Sequence, residues 1–62
     1  MEEVTITNTE HGKDALAEVM QRSDKILRVA IKGTTVIIHM TRSDTRRPYV
    51  GNLNGMEFTS YG

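Results

Sequence analysis

Hydrophobic and polar residues alternate along most of this chain, and one segment departs from that period. Val4-Thr5-Ile6-Thr7 alternates with period two and carries β-branched residues, which predicts a short strand over about residues 3–7. The polar stretch Asn8-Thr9-Glu10-His11-Gly12 breaks the pattern, and Asn8 or Thr9 could cap a following helix. Ala15, Leu16, Val19 and Met20 then fall at helical spacing, with Lys13, Asp14, Glu18, Gln21 and Arg22 mostly on the remaining arc. That predicts a helix over about residues 12–22, supported by a Glu18–Arg22 pair four residues apart.

From Ile26 the period returns to two. Leu27, Val29 and Ile31 line one face of a strand over 26–31, and Val36, Ile38 and Met40 line one face of the next, over about 35–41. Lys32-Gly33 supplies the turn between them. A second hairpin is marked by Asn54-Gly55 between the runs 48–53 and 56–60, because both turn residues tolerate positive φ. Pro48 has no N–H and suits the start of a strand. The resulting expectation is a single α+β domain over 1–62, in the order β-α-β-β-β-β, with one helix packed on a mainly antiparallel sheet.

Size adds a constraint. A 62-residue chain buries only about 60% of the surface it exposes when unfolded. With no cysteine, it has neither disulfide nor thiolate metal site to reinforce it. Both faces of the central hairpin carry apolar residues: opposite Leu27 and Val29 lie Ile26 and Ala30, and Ile37 sits on the matching face of the next strand. One helix covers only one side of a sheet. Ile26, Ala30 and Ile37 are therefore expected to form an interface, with a second copy in a homo-oligomer or with another protein.

No segment approaches the roughly 18 apolar residues of a membrane span. The acidic start Met1-Glu2-Glu3 lacks the basic and apolar regions of a signal peptide. The expectation is a cytoplasmic protein that does not engage a membrane.

Net charge is zero, but unevenly arranged. Residues 1–24 carry two cations and six anions, and residues 25–62 carry six cations and two anions. Arg42, Arg46 and Arg47 fall within six residues, interleaved with Ser43 and Thr45 and followed by Tyr49. Guanidinium forks match phosphate oxygens, hydroxyls fill further acceptors, and an aromatic ring can stack on a base. Arg28 and His39, on neighbouring strands, could extend such a site. This predicts capture of a phosphate-bearing ligand, a nucleotide or nucleic acid, by a non-catalytic protein of regulatory or inhibitory type. The alternative is a protein-binding regulator acting through Ile26, Ala30 and Ile37. No Gly-rich phosphate loop is present. No nucleophile, base and orienting group fall into a set, and His11 and His39 have no carboxylate at ligand spacing. Neither a catalytic centre, a metal nor a cofactor is expected.

Overall fold

Asn54 and Gly55 both adopt positive φ, at 52° and 78°, as a two-residue turn between twisted antiparallel strands requires. The hairpin they close is one of a series. The computed structural model describes residues 2–62. Its six strands are β1 (Glu3–Asn8), β2 (Lys13–Arg22), β3 (Ile26–Ile31), β4 (Ile37–Thr41), β5 (Tyr49–Leu53) and β6 (Met56–Ser60). Each is antiparallel to its successor in sequence. β6 returns to pair with β1, giving a closed six-stranded meander barrel.

The α+β expectation is overturned. Residues 12–22 form no helix, and the described residues contain none. The segment is instead the longest strand, laddered to β1 from Glu3↔Glu18 to Asn8↔Lys13 and to β3 from Ala17↔Ile31 to Arg22↔Leu27. Two features conceal its period of two. Small residues, Ala15 and Ala17, occupy inward positions while the larger Leu16 and Met20 face out. A bulge between Val19 and Gln21 then shifts the phase. The helical spacing of Ala15, Leu16, Val19 and Met20 is the sum of these two effects. Arg22 forms its ion pair with Glu2, at 2.7 Å, and not with Glu18. The supposed helix cap is a turn: Asn8 Oδ1 accepts the Glu10 N–H at 3.0 Å, and the Asn8 carbonyl accepts the Gly12 N–H at 2.8 Å.

A ten-residue helix is marginal in isolation, whereas this segment gains partners on both edges as a strand. Closing the barrel also requires something to bridge β1 and β3. The far wall of the same sheet covers the inner apolar set, while Ile26, Ala30 and Ile37 stay on the outside of the barrel.

The interior holds Val4, Ile6, Ala17, Leu27, Val29, Ile38, Met40, Tyr49 and Phe58. Ala17 lies directly opposite Val4 on one side and Ile31 on the other, and its small side chain lets these pack across the barrel axis. Ladders are unequal around the circumference. β4 pairs with β5 only at Thr41↔Val50, and β1 with β6 only at Thr7↔Thr59 and Asn8↔Phe58. Beyond the second ladder a buried side chain closes the seam. Ser60 Oγ donates to the Thr5 carbonyl at 2.8 Å and accepts the Gly62 N–H at 3.0 Å.

Of the three ion pairs among the described residues, Lys32–Glu3 at 2.7 Å joins the cationic and anionic stretches of sequence. Hydrogen bonding to Glu3 holds the Lys32 ammonium protonated above the ordinary lysine value. The remaining two pairs form within one stretch each. No helix crosses a membrane here, since the described residues hold none long and apolar enough.

Candidate anion-binding end of the barrel

The alternating strand directions bring four segments to one end of the barrel: the start of β1, the β2–β3 turn (23–25), the β4–β5 loop (42–48) and residues 61–62. Arg22, Lys25, Arg42, Arg46 and Arg47 gather there, against Glu2, Asp24 and Asp44.

The turn and the loop are tied together by Arg42 and Tyr49. Arg42 is the first residue after β4, and its N–H donates to the Lys25 carbonyl at 3.0 Å. Its Nε donates to the Asp24 carbonyl, and its Nη1 to the Thr45 carbonyl at 3.4 Å. The guanidinium carbon lies 4.1 Å above the Tyr49 ring centroid. Tyr49 is inward-facing and only 2% exposed, and its hydroxyl donates to the Ser23 carbonyl at 2.6 Å. The ring therefore braces the loop from beneath, with one face occupied by Arg42.

Inside the loop, Asp44 organises the backbone. Its Oδ1 accepts the Arg46 N–H at 2.8 Å, its carbonyl accepts the Arg47 N–H at 3.3 Å, and its Oδ2 lies 3.6 Å from Arg47 Nε. Ser43, Thr45, Arg46 and Arg47 are all exposed. The Arg46 guanidinium takes part in none of the ion pairs or side-chain hydrogen bonds among the described residues. Arg47 keeps one long contact to Asp44, with its side chain 70% exposed.

Two clefts flank Arg42. One, of about 280 Å³, lies between Arg22, Ser23, Asp24, Arg42, Tyr49, Tyr61 and Gly62. The other, of about 460 Å³, lies between Thr41, Arg42, Ser43, Arg47, Pro48 and Val50. Arg42 belongs to both walls, so the two clefts lie side by side at this end of the barrel with its anchored side chain between them. Tyr61 stands over the first cleft and is 82% exposed, the most open large apolar side chain described.

The structure thus brings together Arg42, Ser43, Thr45, Arg46, Arg47 and Tyr49, with Tyr49 buried as a support. Arg28 and His39 lie elsewhere, directly paired on the outer wall of β3 and β4. Ile26, Ala30 and Ile37 share that outer wall. Sequence reasoning misses two residues of the site. The helical spacing of 12–22 places Arg22 in a helix, and Tyr61 follows the last alternating run, where no pattern marks it. Among the described residues, no three His, Cys, Asp or Glu side chains gather as a metal site.

No family model matches the chain, and no curated protein or solved structure matches it either. The functional reading rests on the geometry of this end of the barrel.

Proposed function

We propose that the protein is a non-catalytic binder of phosphate-bearing ligands, and specifically of single-stranded nucleic acid laid across the end built by the β2–β3 turn and the β4–β5 loop. The observation that carries this reading is the pair Arg46 and Arg47. Both guanidiniums project from a loop whose backbone is already held by Asp44 and Arg42, so the cost of ordering the backbone does not fall on binding. Ser43 and Thr45 add hydroxyls beside them. Tyr61 supplies the open aromatic face that buried Tyr49 does not, and stacking on it is tolerant of base identity. Two neighbouring clefts on either side of Arg42 offer places for successive units of a polymer, where a mononucleotide would fill only one. A regulatory role in the cytoplasm accords with such binding.

The test is fluorescence anisotropy with labelled single-stranded oligonucleotides across a salt series. Binding should weaken as salt rises. In the double variant Arg46→Ala/Arg47→Ala, the log–log slope should fall by about 1.4, roughly 0.7 for each phosphate that is no longer neutralised. Tyr61→Ala should weaken binding by about 1–3 kcal/mol for a stacked base while leaving the slope unchanged. Unchanged affinity and slope in the arginine double variant would remove the loop from any such role.

A further inference from the structure

The outer wall of β2, β3 and β4 has a composition unlike the rest of the barrel exterior. Reading across the ladders, Glu18, Ala30 and Ile37 form one outward row, and Gln21, Arg28 and His39 form the next. Met20, the extra residue of the bulge, rises between the two rows. Met20 is 52% exposed and Ile37 37%, with Leu16 and Ile26 also open at the margins. Neither central charge has a close ionic partner: Glu18 lies near enough to Lys32 to help hold its ammonium protonated, but the contact Lys32 makes is to Glu3. Among the described residues, neither Glu18 nor Arg28 makes an ion pair. Arg28 has only a 3.4 Å hydrogen bond from Nη1 to Gln21 Oε1, and its Nε is shielded from solvent with no hydrogen-bond partner. A shielded, unpartnered guanidinium nitrogen is costly, and a carboxylate would relieve it.

The spacing of these groups is self-complementary. Glu18 sits one strand over from Ala30, and Arg28 two residues from Ala30 along β3. With strands about 4.8 Å apart and about 3.4 Å per residue, the Glu18–Arg28 diagonal is roughly 8 Å. A two-fold axis perpendicular to the wall and bisecting that diagonal would only spin one copy in place, whereas an axis lying in the wall turns a second copy to face the first and exchanges the two positions. The same in-plane axis passes close to Met20, Ala30 and Ile37, so each of these meets its own counterpart. One charge of each sign flanking an apolar strip is the pattern an isologous contact requires.

We propose that this wall is the contact face of a two-fold symmetric dimer, in which Glu18 of each copy pairs with Arg28 of the other around Met20, Ala30 and Ile37. The occupant is a second copy of this chain because the charges match under a single rotation. The dimer is reversible and not obligate. The accessible surface is 4135 Å², near the roughly 4,000 Å² expected of a self-sufficient folded monomer of this mass. A barrel wall is convex, which keeps the contact at or below the standard size of about 800 Å² per partner. Contacts at the low end of the size range belong to weak, transient assemblies.

Sedimentation equilibrium of the full chain from about 10 μM to about 1 mM covers weak association of this kind. The natural chain should pass from monomer to dimer across it. Glu18→Arg and Arg28→Glu should each remain monomeric, because like charges then face each other twice. An equimolar mixture of these two variants should form a heterodimer, since every facing pair is again opposite in sign. That recovery also shows that both variants are folded. The double variant Glu18→Arg/Arg28→Glu should dimerise with itself. A natural chain monomeric throughout, or one whose association is indifferent to the charge changes, would overturn the proposal. Neither result bears on the oligonucleotide assay, which concerns the end of the barrel and not its wall.

Discussion

Gly51 shows how closely a barrel this small is packed at a single residue. It lies on the inward face of β5, opposite Phe58, where β5 passes β4. A Cβ at this position would come within 2.6 Å of the His39 carbonyl oxygen and 2.9 Å of Met40 Cγ. The backbone oxygen has nowhere to retreat without opening the single-pair ladder between β4 and β5. Gly51→Ala should therefore destabilise the fold by about 1–3 kcal/mol, the usual cost of overpacking, despite the smaller entropy gain of replacing glycine. In urea denaturation the midpoint should fall with little change in slope. Alternation alone places Gly51 on one face with Tyr49 and Leu53. It does not say which backbone crosses there, because that neighbour is 12 residues away in sequence and belongs to a different strand. Tyr49 carries the same lesson for the site. Its position next to three arginines was legible, but its burial under Arg42 was not, since burial follows from which face of β5 turns inward.

At the scale of elements, β2 is where local and global preferences part. Ala, Leu, Glu, Met, Gln and Arg are good helix formers, but propensity amounts to only a few tenths of a kcal/mol per residue and yields to ladders on both edges. The strand runs at 26–31 and 56–60 were legible because large residues fill one face and the period stays unbroken. β2 has small residues inside, large ones outside and a bulge, so its pattern points the other way. Ala15 offers a test that separates the two conformations. It faces inward near the barrel end, opposite Ile6, and is exposed, leaving room for two methyl groups. Ala15→Val should raise stability by up to about 1 kcal/mol in a strand. The same change within a helix would lower it by about 0.6 kcal/mol. The sign of the shift in the urea midpoint decides between them.

For the whole molecule, closure is the governing fact. β1 and β6 lie side by side and antiparallel, so residue 2 and residue 62 emerge at the same end of the barrel. A short flexible linker can join them, and the Lys32–Thr34 turn, exposed with Gly33 at φ 82°, can be opened instead. A circular permutant beginning at Thr34 should fold to a barrel with the same strand ladders. Amide hydrogen exchange should show protection in β1 and β6 comparable to that in the natural chain. An open sheet ending at β1 and β6 would lose that protection. Closure also revises why apolar residues occur on both faces of the β3–β4 hairpin. The inner set is covered by the barrel's own far wall, which leaves Ile26 and Ile37 with Leu16 and Met20 as the exterior apolar set.

What the amino-acid order determined by itself was local: where the chain turns, which strands alternate, and that Arg42 to Arg47 form one polar, cationic connection. These follow from backbone sterics and from period-two burial, which act over a few residues. The conformation of β2, the brace beneath the loop, the arrival of Arg22 and Tyr61 at the same end, and the pairing of Glu18 with Ala30 were decided only by closure. Each depends on groups distant in sequence meeting across a ladder or the barrel axis, and satisfying those contacts together outweighs the weak preferences of any one segment.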